Sequence, residues 1–406
     1  MASDVHDPVI RAYYAYQLTA SAGFIWPVFT LFLLWNGLSF AQIGTLGAVS
    51  AVLVAVLEVP TGGFADRVGR RNALAVGMAA MAASVAGFVV AETFLAFVAL
   101  YALWALALSL RSGTADAWLY ETLRERTDES SFTRVRGRGG AANQWGSALA
   151  MVAGGLLYVR HPTYPFVAAA VLHALGVVAV LSMPENEALG DPAASEALGV
   201  REALGLIRTE FLAPALRAFV PFVALFFAVV GTADTYIQPI TVGVLEGATA
   251  TAGPLAAVPE AATLGFVYAG FAALAATASY HAEAVADRVG ARRALLGVPV
   301  LVAALLLAPV AVPLLALPAF FGMKGGEALY KPLVNQYLND RTGSRGRATV
   351  LSAASLVYAL VRAPLKPVAG YAADLAGPVA LVAGLGAGFL LGAGALALGG
   401  ADPVER

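Results

Sequence analysis

Nine ionisable residues interrupt stretches that are otherwise apolar enough to cross a bilayer: Glu58, Arg111, Asp116, Asp234, Lys324, Glu327, Lys331, Arg362 and Lys366. A charge at mid-membrane costs ~2.5–3.5 kcal/mol on insertion scales, so each needs a partner, water or a function. The chemistry open to such a set is ion pairing, proton exchange and capture of a charged solute. Lys324, Glu327 and Lys331 recur at i, i+3, i+7, which puts them on one helix face. That face is either a salt-bridge ladder or a wall that contacts solute, and two bases against one acid leave one positive charge over. Arg362 and Lys366 share a face at i, i+4. Counted at ~1.5 Å per residue, Glu327 and Arg362 reach similar depths and form the favoured pair. Asp234 has no basic neighbour in its own span. It is the candidate proton carrier, or it pairs with Lys324 or Arg362.

The elements that must position these residues are membrane spans. Of 406 residues, 59% are hydrophobic and 13% charged, about half the ~25% charge of ordinary soluble chains. At ~20 apolar residues per crossing, twelve spans are predicted. They lie near 13–36, 40–63, 72–91, 94–118, 140–159 and 165–184, then 214–241, 263–285, 294–313, 316–338, 348–372 and 377–399. The reading is an all-α polytopic membrane protein with an N-terminal half (1–184), a linker (185–213) and a C-terminal half (214–406). In the linker, Val200, Leu204, Ile207 and Phe211 recur at helical spacing and predict a short amphipathic surface helix. Arginines collect after spans 2, 4, 8 and 10 and in the linker, whereas the alternate loops hold only Arg160. By the positive-inside rule both termini are cytoplasmic. The N-terminus shows no cationic leader or cleavage site, so span 1 is expected to be uncleaved. Arginine outnumbers lysine 22 to 3, which suggests a GC-rich prokaryotic genome.

The densest motif is Glu58–Leu74, EVPTGGFADRVGRRNAL, which packs Gly62, Asp66, Arg67, Gly69, Arg70 and Arg71 into ten residues. A turn between spans needs an acceptor for free helix-end N–H groups, a role expected of Asp66. A second copy, ADRVGARRAL, covers Ala286–Leu295 and includes Asp287 and Arg288. Asp66 and Asp287 lie 221 residues apart (287 − 66), a little over half the chain, which marks a duplicated architecture. A third trace, Gly370-x-x-Ala373-Asp374-x-x-Gly377, has the spacing of Gly62, Ala65, Asp66 and Gly69 but falls on the opposite membrane face, as inverted repeats require.

The pattern Gly62-x-x-Ala65-Asp66-Arg67-x-Gly69-Arg70-Arg71-x-x-Leu74 resembles the loop signature of the major facilitator superfamily of secondary transporters, in particular its drug:proton antiporter-like branch. The resemblance implies a two-half, twelve-helix fold in which spans 1, 4, 7 and 10 line a central cavity flanked by 2, 5, 8 and 11. It also implies that the signature joins a charge network holding the halves in one state. Glu58, Asp116 and Glu121 are candidate members of that latch, with Asp116 or Glu121 as the anchor of Arg70. Asp116 is also a candidate proton carrier. Arg111 stands where family members often carry an arginine linked to proton coupling, although the Gln-Gly that should follow is absent; the alternative is a structural pair with Asp116 or Glu58. Arg111-Ser-Gly113-Thr-Ala115 parallels Lys324-Gly-Gly326-Glu-Ala328. Exporters of this superfamily often show Gly-x-x-x-Gly-Pro-x-x-Gly-Gly in span 5. Here Gly146, Gly154 and Gly155 remain, while Ala150 and Met151 replace Gly-Pro.

Zinc-type histidine pairs, phosphate loops and nucleophile elbows do not occur, so no enzyme activity, cofactor or metal is expected. With no cysteine, disulfides and thiolate sites are excluded. The expected function is secondary active transport of a small organic solute by alternating access, with proton-coupled export first, uptake of an organic anion as the alternative, and a non-transporting sensor third. Expected partners are a small-molecule substrate, protons or another coupling ion and the lipid bilayer, with no nucleic acid. A monomer in the plasma membrane of a prokaryote is expected.

Overall fold

The structure is a computed structural model that describes residues 7–126, 129–186, 211, 214–249, 259–342, 347–399 and 402–404. The predicted linker helix lies almost wholly outside them. The described residues contain helices and turns but no strand, as an apolar chain requires when water is unavailable to backbone N–H and C=O groups. Among the described residues eight helices are long and apolar enough to cross a membrane, and the chain is an all-α polytopic membrane protein. Spans 1, 5 and 10 of the sequence reading fall outside those eight for a physical reason: span 1 is broken, and the others carry Asn143 and Gln144, or Lys324, Glu327 and Lys331.

The first span begins as α1 (Pro8–Thr19), where Asp7 accepts from the Val9 N–H at 2.8 Å and Pro8 occupies the first turn. It stops at Ala20 and resumes as α2 (Phe29–Trp35). Then follow α3 (Phe40–Val68), α4 (Arg70–Phe88), α5 (Phe94–Arg111), α6 (Thr114–Arg126), α7 (Phe132–Arg160) and α8 (Tyr164–Leu181). The later part of the chain holds α9 (Phe219–Ala233), α10 (Ile237–Thr249), α11 (Glu260–Tyr280), α12 (Ala282–Val289), α13 (Ala291–Leu305), α14 (Ala316–Arg341), α15 (Arg347–Ala376) and α16 (Pro378–Leu398).

The signature stretch is not the turn between spans expected from the sequence. Helix α3 runs straight through Pro60, Gly62 and Asp66 to Val68. The whole turn is one residue, Gly69, at φ 88° and ψ 143°. Asp66 therefore lies within the last helical turn, and no side chain caps α4, which corrects the capping role expected for it. Gly290 repeats the conformation (φ 89°, ψ 132°) between α12 and α13, and Gly377 (φ 84°, ψ 156°) between α15 and α16. All three complete an Ala-Asp-x-x-Gly string, and this φ/ψ region is open essentially to glycine alone.

Two compact units divide the chain. The first comprises Met1–Leu38, Val49–Glu196 and Val258–Ala269; the second comprises Ser39–Ala48, Ala197–Ala257 and Gly270–Arg406. Helices α3 and α11 thus each contribute their first turns to one unit and their remainder to the other. In the first unit α4 packs against α5 and α8, and Tyr13, Tyr16, Leu74, Met78, Trp118 and Val180 form a shared core. Helix α7 closes on the α1–α2 break through Gly154, where an added Cβ would sit 2.0 Å from the Phe24 carbonyl oxygen, and on α11 through Gly155, 2.5 Å from that of Ala261. In the second unit α9 packs on α15 and α16, and α13 on α14 and α16. Arg292 anchors residues 402–404 through Asp402 (2.6 Å) and the Val404 carbonyl (3.1 Å).

Candidate functional site

Broken helices bring the second unit's charges together. Helix α9 ends at Ala233 and gives one turn of tighter helix at Asp234–Tyr236 before α10 begins. Asp234 meets Lys324 of α14 there as an ion pair, with side chains 19% and 23% exposed for lysine and aspartate. The sequence reading paired Glu327 with Arg362. Among the described residues the direct bridge is Lys324–Asp234 instead, while Glu327 interacts electrostatically with Lys324, Asp234, Lys331 and Arg362. Lys324 and Glu327 are one turn apart on α14, so the break in α9 decides which acid reaches the lysine. Asp234 is therefore a paired carboxylate.

Arg362 lies flat across α9, where a Cβ added to Gly231 would meet its Cδ at 2.8 Å and Nη1 at 3.0 Å. Its Nε is buried and has no hydrogen-bond acceptor among the described residues. One turn below, Lys366 interacts with Arg362 and Asp234 and reaches the start of α3, where a Cβ at Gly47 would lie 3.1 Å from its Nζ. Lys331 is exposed. Three cations (Lys324, Arg362, Lys366) thus surround two carboxylates (Asp234, Glu327). On the same helices Phe227 lies at a tilt to Tyr330 (5.9 Å) and Tyr358 (5.3 Å), whose hydroxyls are buried without a partner among the described residues. Sequence reasoning missed these tyrosines, since apolar helices carry many aromatics and spacing does not distinguish them.

In the first unit, Arg111 ends α5, and Gly113 at φ 69° separates α5 from α6. Arg111 donates from Nη2 to the Ala20 carbonyl at 3.2 Å, where α1 stops, and lies 6.0 Å from the Tyr16 ring centre. A cation at a helix C-terminus complements the macrodipole and takes up a free carbonyl. Neither Asp116 nor Glu58, the pairing partners expected from sequence, holds it. Asp116 instead forms a two-pronged bridge to Arg136 of α7, 2.8 Å at each oxygen, and this carboxylate raises the affinity of the Arg136 guanidinium for its proton. Glu58 is exposed on α3 and has no ion pair among the described residues. His173 is buried in α8, within electrostatic reach of Arg111.

The signature residues build a separate network in the same unit. Arg70 donates from Nε to Glu121 at 2.7 Å and lies 3.6 Å from Asp66. Glu121 also accepts from Asn186 Nδ2 at 2.8 Å, and the Asn186 Oδ1 accepts from Thr122 at 2.8 Å. Trp118 Nε1 donates to the Pro184 carbonyl at 3.1 Å, and Arg71 pairs with Glu185. Of the two anchors open from sequence, Glu121 holds Arg70 and Asp116 does not. Asn186 and Glu185 had no motif to reveal them. Gly62, Arg67, Asp287 and Arg288 are exposed.

A family model of the Major Facilitator Superfamily matches residues 17–363. The chain belongs to the major facilitator superfamily. An uncharacterised MFS-type transporter of Bacillus subtilis, YxaM, is 27% identical over 153 residues, a match spanning 38% of this chain and 37% of that protein. Among crystal structures, the nucleoside transporter NupG superposes with a TM-score of 0.79 at 12% identity, covering 98% of this chain and 99% of that one. A bacterial homologue of the human lysosomal transporter Spinster, inward-facing and unoccupied, gives 0.69 at 16% identity over 96% and 94%. At these identities the likeness concerns the fold.

Proposed function

We propose that this protein is a proton-coupled secondary transporter of a small organic anion, recognised by the charge cluster on α9, α14 and α15. The observation that carries the reading is the excess of cations in that cluster. Three bases face two acids there, and the buried Arg362 Nε has no acceptor among the described residues. An uncompensated charge within a membrane protein is costly, and an anionic ligand relieves that cost. Coupling follows from the pair. A proton arriving at Asp234 frees the Lys324 ammonium for the ligand, so proton and anion bind together. Alternating access by rocking about a site near the midplane is the mechanism this architecture supports.

Export by proton antiport is the second reading, favoured by the Gly154–Gly155 pair of the exporter motif. Those glycines already serve close helix contacts, which lowers the weight of that signal. Thermal stabilisation of the purified protein by organic anions, neutral metabolites and lipophilic cations separates the two, because native-state binding raises apparent stability. Anion hits that strengthen on acidification and vanish in Arg362→Ala are expected. Hits confined to lipophilic cations that weaken on acidification would overturn the anion reading.

A further inference from the structure

The third copy of the signature spacing does something the first copy does not. Asp374, at the end of α15, places Oδ1 2.8 Å from the Phe40 N–H and Oδ2 2.9 Å from the Ala41 N–H. Phe40 and Ala41 are the first residues of α3, and all of them belong to the second unit. The remaining donors at this helix end are satisfied locally: Ser39 Oγ accepts from the Gln42 N–H at 3.2 Å, and Gln42 Oε1 accepts from the Ser39 N–H at 2.9 Å. That is a reciprocal capping box. The carboxylate of a residue 334 positions away therefore completes the N-terminal cap of α3, where the helix dipole favours a negative charge.

Below the cap, α3 and α15 meet along a seam of glycines. A Cβ at Gly370 would lie 2.2 Å from the Phe40 carbonyl oxygen, and one at Gly44 would lie 2.2 Å from that of Lys366. At these two positions backbone meets backbone, a contact that can part and re-form without unlocking a side-chain rotamer. Asp374 is exposed, so water can replace its two bonds at small cost. Helix α3 itself passes from the second unit into the first after Ala48.

We propose that Asp374 is a releasable clamp on the membrane face opposite the signature stretch. It fastens the start of α3 to α15 in one conformational state and lets go in the other. The signature network of Arg70, Glu121 and Asp66 ties helix ends on its own face, and the Asp374 clamp is the inverted repeat's counterpart on the far face. Lys366 links the clamp to the charge cluster, since its backbone abuts Gly44 and its ammonium abuts Gly47 in the same seam. The proposal rests on transport by alternating access, but not on the identity of the solute.

The chain has no cysteine, so a single Ala41→Cys in the otherwise unaltered protein reports the seam directly. Its labelling by a membrane-impermeant maleimide is followed in intact expressing cells without added ligand. Adding Asp374→Ala is expected to speed labelling roughly tenfold, the scale of losing a charge-assisted cap. Asp374→Asn, which keeps one acceptor oxygen, should fall between. If Asp374→Ala does not reach the membrane, the Asn variant carries the test alone. Equal labelling rates in the parent and the folded variant would overturn the clamp while leaving solute transport intact. Conversely, accelerated labelling in a protein that moves no anion would leave the clamp standing and remove the anion reading.

Discussion

Removing either partner of the Asp234–Lys324 pair should destabilise the protein more than removing both. Cutting one member of a buried ion pair costs ~3–5 kcal/mol, because the survivor is left charged and unpaired. Here the side chains are 19% and 23% exposed, so water screens part of that penalty, and about 2–3 kcal/mol is the expected loss for Lys324→Met or Asp234→Asn. For a cooperative unit of about 200 residues each kcal/mol shifts Tm by about 2–4 °C, which predicts a fall of about 4–12 °C. The double variant strands neither member of the pair and should recover most of it. Thermal unfolding of the four proteins in one detergent, followed by intrinsic fluorescence, forms a double-mutant cycle. Glu327 and Lys366 stay in place throughout, so the interaction energy belongs to the pair. Single variants as stable as the parent, or a double variant whose losses add, would refute the reasoning that Asp234 and Lys324 neutralise one another.

Two further outcomes follow from the geometry. Arg70→Ala and Glu121→Gln should slow net transport to the same extent, leave ligand affinity within about twofold, and show no added effect when combined, because they break one 2.7 Å contact; additive slowing in flux assays would place them in separate devices. Gly290→Ala and Gly69→Ala should each cost about 1–3 kcal/mol for a side chain in a glycine-only conformation, measured by thermal unfolding, whereas Gly243→Ala, with open space around it, should not exceed an ordinary surface change.

Much of this fold was legible because lipid imposes simple rules. Long apolar runs read as helices, and the Asp66/Asp287 repeat reappears as one glycine conformation at Gly69 and Gly290. Where the reading failed, the backbone had options that composition does not record. The expected end of span 2 is residue 63, yet α3 continues to Val68, and Gly69 alone makes the turn. Two of the breaks that do occur, at Ala20 and at Ser112–Gly113, come at small residues that recur throughout the chain. The site shows the same division. Each ionisable residue could be listed from the sequence, because charge in an apolar run is conspicuous. Their pairings could not, because i, i+3 spacing fixes a face on α14 but says nothing of what α9 presents to it. Asp116 illustrates the point, since its partner Arg136 stood among several arginines of one loop. Asp374 was visible as a motif copy, but its bonds to Phe40 and Ala41 depend on a contact across 334 positions that no local pattern encodes.

The most direct test of the account is anion uptake into proteoliposomes under an imposed pH gradient, with the parent compared to Asp234→Asn and Arg362→Ala. The account predicts accumulation of a labelled organic anion in the parent that follows the inward proton gradient and collapses with an uncoupler. It predicts anion flux without response to the gradient in Asp234→Asn, and none in Arg362→Ala. Anion accumulation that ignores the pH gradient in the parent, or that survives Arg362→Ala unchanged, would contradict it.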